Sequence, residues 1–133
     1  LSAGLLGRYA CGLGEPPKPL PDFHVFHRYA ANFPWLSHAE WLIAQMLRWG
    51  QVRELADLKI AAASVYRPAL YRQAAAALGL PCPPLDRKPE GLHEQAWLLA
   101  TPTDSFTLGA DRFFDGGIFD SSDYLTGHAA ASR

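Results

Sequence analysis

The chain is poor in the features that announce chemistry. Cysteine occurs twice, at Cys11 and Cys82, too far apart for metal-ligand spacing and outside any C-x-x-C arrangement. Two free, partly buried thiols are the simplest reading, and a single disulfide in an oxidising compartment is the alternative. Long apolar runs are missing too. The longest, Ile60-Ala61-Ala62-Ala63-Ser64-Val65, falls far below the ~18 residues of a membrane span. Charge of one sign is also lacking: twelve basic and thirteen acidic residues leave a net charge of −1. Phosphate recognition requires concentrated Lys and Arg, so composition gives no case for direct nucleic-acid binding. Leu1 to Arg8 has neither an initiator Met nor a basic and apolar leader, and is expected to be a stretch entered partway along a longer protein.

Catalytic signatures are absent as well. No G-x-S-x-G elbow, phosphate loop or dinucleotide fingerprint occurs, and Gly12-Leu13-Gly14 runs into prolines rather than into a helix. His24 and His27 form H-x-x-H without the glutamate that a zinc hydrolase places between its histidines; His38, His93 and His128 lie elsewhere. In an extended segment, residues three apart point to opposite faces, so packing or surface roles are favoured over metal ligation. Asp111, Asp115, Asp120 and Asp123 form a carboxylate-rich tail, but the D-x-D-x-D ladder and closing Glu of a calcium loop are missing. Asp115-Gly116 is read instead as a turn between Phe114 and Phe119. The expectation is therefore no enzyme, no catalytic residue, no metal ligand and no cofactor.

What is present is a globular composition, 49% apolar and 19% charged, punctuated by eleven prolines and eleven glycines. Residues 12–21 (GLGEPPKPLP) form a Pro-rich connector, extended because proline locks its own φ and restrains its predecessor. Asp22 to Phe26 fits a short strand or an extended pass. Ser37-His38-Ala39-Glu40 has the pattern of a capping box, with Leu36 and Trp41 placed as its hydrophobic staple. The helix it opens is expected to run through Trp49, to end on Gly50, and to pack by Trp41, Leu42, Met46 and Trp49. A second helix is expected over roughly Glu54 to Ser64. A third runs from Pro68 to Gly79, presenting Leu70, Tyr71, Ala74, Ala77 and Leu78 to a neighbour. Pro81 to Pro89 reads as a loop, and Leu92 to Leu99 is ambiguous. Seven aromatics between Phe23 and Trp49 suit core packing or contact with other protein, with Gln45 and His38 the polar residues to inspect should they line a pocket.

Three blocks carry a resemblance. Asp22-Phe23-His24-Val25-Phe26 through Phe33-Pro34-Trp35, Ser37-His38-Ala39 and Gln45-Met46-x-Arg48-Trp49-Gly50-Gln51 form the first. Val65-Tyr66-Arg67-Pro68-x-Leu70-Tyr71-Arg72 with Ala74-Ala75 forms the second, and Phe113-Phe114-Asp115-Gly116 with Phe119-Asp120 the third. In order and content they resemble the C-terminal third of the nitrate/bicarbonate-binding proteins of ABC importers; Glu90 to Leu108 fits no part of that pattern. The residues themselves read as a predominantly α-helical segment with few short strands; the resemblance implies that residues 1–133 form the C-terminal part of a two-lobed, α/β type II periplasmic-binding-protein fold. It implies binding of nitrate, nitrite or bicarbonate, delivery to an ABC permease, and a periplasmic or membrane-anchored exterior location. In the family the anion-holding residues come chiefly from earlier segments, so no ligand residue is assigned here and the segment is expected to serve as scaffold, with self-association of the segment as a corollary. A cytoplasmic nitrate sensor that controls an RNA-binding antiterminator is the alternative within the family. A stand-alone helical module that docks a protein partner is the alternative outside it.

Overall fold

A computed structural model describes residues 7–10, 12, 14–53, 57–101 and 104–121. Helices supply most of the regular structure, joined by two small antiparallel sheets. Cys11, Asp123 and His128 lie outside the described residues, as do Glu54 to Ala56 at the expected start of the second helix, so the question of a Cys11–Cys82 bond does too.

Near the N-terminus β1 (Arg8–Tyr9) pairs with β2 (Lys18–Pro19), whose proline sits on an edge where its missing N–H costs no ladder bond. The expected Pro-rich connector thus includes a short strand. Asp22 to Phe26 forms no strand and leads through a 3₁₀ turn (Arg28–Ala30). Tyr29 and Ala30 both have positive φ there, 61° and 49°, a costly conformation for residues with a Cβ.

The first helix, α1 (Leu36–Arg48), begins one residue before the expected cap. Trp35 occupies the N-cap position without a side-chain cap, and the Leu36 amide donates to the Asp86 carbonyl at 2.8 Å. Ser37 and Glu40 therefore lie inside the helix, and both are drawn off to partners some fifty residues away, Glu90 and Arg87. The capping box is not formed. Termination follows expectation: Gly50 adopts φ +71°, its amide donates to Leu47, and the Gln51 amide reaches Met46 in a Schellman arrangement.

The packed face of α1 also differs from the expected one. Leu36, Ala39, Glu40 and Ala44 are buried, with Ile43 and Leu47 half-buried, a stripe at spacings of three and four. Of the expected face Trp41 is half-buried and packed, whereas Leu42, Met46 and Trp49 stay exposed. Small Ala39 and Ala44 permit close approach where the bulkier residues would hold a neighbour away. On α3 (Pro68–Ala77) Pro68 and Ala75 are buried and Tyr71, expected on the packed face, is half-buried against the core, whereas the expected Leu70, Ala74, Ala77 and Leu78 are exposed. Between them α2 (Leu58–Val65) is capped by Asp57, whose carboxylate accepts from the Lys59 and Ile60 amides at 2.8 and 3.0 Å. Its buried Leu58 joins Ala44 and Phe119 in one small core.

A second core collects Phe33, Trp35 and Leu108, flanked by Tyr71, Trp97 and Leu99. Its floor is a hairpin over part of the stretch that sequence left ambiguous. In it β3 (Trp97–Ala100) pairs antiparallel with β4 (Ser105–Leu108), Trp97 opposite Leu108. Residues 109–121 then return along α1, where a bridge between Glu90 and Phe119 ties two loops together.

Candidate functional site

Two places gather polar or aromatic side chains. The first is a buried network at the start of α1. Glu90 accepts from the Ser37 hydroxyl at 2.6 Å and from Lys88 Nζ at 2.5 Å, and His38 Nε2 lies 3.3 Å from the same carboxylate. Lys88 Nζ also lies 3.4 Å from Asp111, whose carboxylate accepts from the His93 amide at 2.8 Å and faces His93 Nδ1 at 3.1 Å. The His93 ring stacks on Trp97 with centroids 3.8 Å apart. Lys88, Glu90 and Asp111 are nearly enclosed, with side chains 8, 7 and 10% exposed.

Charges so enclosed are tolerated only when paired. Burial pushes the Glu90 carboxyl up, but His38, Lys88 and Ser37 outweigh it and hold the group below its ordinary range. Burial opposes ionisation of Asp111 likewise, and the His93 amide and ring, with the Lys88 charge, reverse it. One turn along α1, fully buried Glu40 receives both Nε and Nη2 of Arg87 on a single oxygen at 2.7 Å. Its other oxygen and the Trp97 indole N–H are buried without a partner. Arg72 holds the following loop: it donates to the Pro83 and Leu85 carbonyls, pairs with Asp86 at 2.7 Å, and lies 5.0 Å over the Phe33 ring.

Lys88, Arg87 and Arg72 are thus each committed to a carboxylate of the chain itself. The network ties the 83–93 loop and residue 111 to α1, with each of these three cations paired internally.

The second place is a groove of about 740 Å³ between the C-terminal half of α1 and residues 113–120. Trp41, Gln45, Arg48 and Trp49 line one wall, and Phe113, Phe114, Ile118 and Phe119 belong to the other side. Trp41 stacks on Phe113 with centroids 5.5 Å apart and ring planes 15° from parallel. Gly116, at φ +71°, donates to the Phe113 carbonyl, and the Gly117 amide caps on Asp115 at 3.0 Å; this is the turn expected from Asp115-Gly116.

Gln45 therefore lines the groove, as its place among aromatics suggested, whereas His38 belongs to the network and not to a pocket. Asp115 and Asp120 flank the groove, and Asp111 is drawn inward to Lys88 and His93. His24 lies among Tyr9, Phe23 and Phe26, while His27 and Cys82 line a separate cavity of about 210 Å³ beside Tyr71. Burial raises the Cys82 thiol against a smaller opposing effect of Arg72. Among the described residues no group of three or more His, Cys, Asp and Glu is placed to hold a metal ion. Sequence missed Lys88, Arg87 and Glu90. Their only signal was an alternation of charge in a Pro-rich loop, Asp86-Arg87-Lys88-Pro89-Glu90, which reads as solvated surface.

Comparison with known proteins decides the relationship. Over 117 residues, 86% of this chain, 28% are identical to the nitrate/nitrite binding protein NrtA of Synechocystis sp. (strain ATCC 27184 / PCC 6803 / Kazusa), covering 22% of that protein. NrtA of Synechococcus elongatus (strain ATCC 33912 / PCC 7942 / FACHB-805) is 33% identical over 100 residues, 73% of this chain and 18% of that protein. The chain is related to the nitrate-binding proteins of ABC importers. This relative of NrtA spans about a fifth of the length of those binding proteins. It is also similar to the nitrate import ATP-binding protein NrtC of the same Synechococcus strain, 37% identical over 76 residues, 53% of this chain and 11% of that protein. No family model matches the chain, and no solved structure matches it.

Proposed function

We propose that residues 1–133 form a C-terminal scaffold of a two-lobed solute-binding protein that captures a small oxyanion, nitrate, nitrite or bicarbonate, for an ABC importer. The observation that carries this reading is the similarity to NrtA over most of the chain. The buried network supports the scaffold role, because its cations are spent on internal carboxylates rather than presented to a ligand. In this proposal the parent protein adopts the type II periplasmic-binding-protein fold and works by closure of two lobes over the anion, a shift between pre-existing states and not a reaction. Its partner is the importer's permease, and its place the periplasm or the membrane-anchored exterior. The similarity to NrtC adds no nucleotide site, since the chain contains no phosphate loop.

Calorimetric titration of the full-length protein carrying these residues, with nitrate, nitrite and bicarbonate in turn, tests the reading. Heat of binding with one of them is expected, and silence with all three sinks it. Substitution of Gln45 or Arg48 is expected to leave the affinity unchanged, because the anion ligands lie in other segments.

A further inference from the structure

His93 joins three parts of the chain. Its carbonyl accepts from the Asp111 and Arg112 amides, both at 3.0 Å, and its own amide donates to Asp111 Oδ1. Its ring touches two groups that gain from a positive charge. One is the Asp111 carboxylate, 3.1 Å from Nδ1 and only 10% exposed. The other is the Trp97 indole of β3, stacked on the ring with centroids 3.8 Å apart and planes 8° from parallel.

Burial pushes the Asp111 carboxyl up, but the His93 amide and ring, with the charges of Lys88 and His93, hold it below its ordinary range. An ionised carboxylate only accepts, so the neutral ring must carry its hydrogen on Nδ1, and Nε2 is left to take a second proton. The ring is 22% exposed, so that proton arrives without opening the network. Once charged, the ring makes an ion pair with Asp111 in place of a neutral hydrogen bond and meets the indole face as a planar cation. The surrounding charges favour the same outcome. Lys88 lies 3.4 Å from Asp111 but also pairs with Glu90, so one enclosed ammonium stands against two carboxylates. Arg112 is paired with Glu94, Arg87 with Glu40, and His38 of α1 faces Glu90 rather than Asp111.

We propose that His93 is a proton-operated latch, whose protonation tightens the hold of residue 93 and β3 on the segment that carries Asp111 and the far wall of the groove. The latch is independent of the anion and of the importer.

Hydrogen exchange of the full-length protein carrying these residues tests it, read by mass spectrometry on peptides spanning 90–100 and 109–119 and corrected for the intrinsic effect of pH on exchange. Lowering the pH from about 8 to about 5.5, across the range where histidine changes charge, should raise protection on the order of three- to tenfold in both. The gain is limited because the backbone bonds of His93 do not titrate and keep the segment docked at the higher pH. His93→Gln keeps a donor for Asp111 but cannot become charged, and should lose the response. His38→Gln should keep it. Equal protection at both pH values in the parent protein overturns the proposal, as does a response that survives in His93→Gln or vanishes in His38→Gln. Should His93→Gln fail to fold, ring-labelled histidine in the unaltered protein decides by nuclear magnetic resonance. The His93 signals, set apart by the Trp97 ring current, must then move with the protection, and a ring that stays neutral down to about pH 5.5 overturns the latch.

Discussion

Lys88→Met should be among the most damaging single changes to this chain. The Lys88 ammonium bridges Glu90 at 2.5 Å and Asp111 at 3.4 Å with almost no access to water. Methionine keeps much of the stem's volume and removes only the charge. Breaking a buried pair by deleting one partner typically costs ~3–5 kcal/mol, because an uncompensated charge stays behind. Here each carboxylate keeps other donors, Ser37 and His38 on Glu90 and His93 on Asp111, so the lower end, about 3 kcal/mol, is expected. That is a large part of the ~5–15 kcal/mol that holds a domain together. Urea denaturation followed by circular dichroism near pH 7 measures it, and a cycle with Glu90→Gln should return a coupling on the order of 1–3 kcal/mol.

The dependence on pH separates an electrostatic cost from a packing cost. Glu90 and Asp111 are held below their ordinary ranges in the folded chain, so their contribution is present above the unfolded values, about 4.3 and 3.9. It is lost as pH falls through the folded-state values. Without Lys88 those values rise, and acid unfolding should begin at higher pH in the variant than in the parent chain. A loss under ~1 kcal/mol near neutrality, or acid unfolding at the same pH in both proteins, would refute the assignment of Lys88 as the charge that permits these carboxylates to be buried.

Three further outcomes follow from the same contacts. Gly91→Ala should destabilise by about 3 kcal/mol or more in the same denaturation assay, since φ is +93° and an added Cβ would stand 2.4 Å from the Gly117 carbonyl oxygen; a neutral result would mean that the two loops are not in contact. Asp57→Ala should cost about 1 kcal/mol through loss of the α2 cap, while Asp57→Asn should retain most of it. Arg87→Met should be strongly destabilising because Glu40 is fully enclosed, and the double variant Arg87→Met/Glu40→Met should recover most of the loss in thermal melts.

Some of this was legible from local sequence and some was not. Pro68, Gly79 and Gly50 fix helix ends by backbone geometry alone, so the limits of α3 and the end of α1 were readable. Asp115-Gly116 likewise encodes its turn locally. Ser37 and Glu40 carry a local signature too, but long-range partners compete for the same oxygens and win. The buried faces of α1 and α3 are legible only in part: Trp41 and Tyr71 pack as their spacing suggests, whereas Leu42, Met46, Leu70 and Leu78 stay outside and Ala39, Ala44 and Ala75 are buried instead. The β3–β4 hairpin escaped notice because its strands are four residues each, too short for alternation to stand out. The groove was half visible: Gln45 among aromatics was noticed, but its opposite wall, Phe113 to Phe119, is assembled only in three dimensions.

The open start of α1 has a consequence for the order of events. Its first turn is completed by the Asp86 carbonyl, Glu90 and Arg87, all made later than the helix itself. As the chain leaves the ribosome, the Leu36 amide and the Ser37 and Glu40 side chains wait for partners until some fifty further residues have emerged. A chain halted before Asp86 would expose a helix that is closed at Gly50 and unfinished at Leu36. Closing a loop of that length is a non-local step that slows folding. Nascent-chain length, rather than helix propensity, should set when this part of the protein becomes resistant to proteolysis.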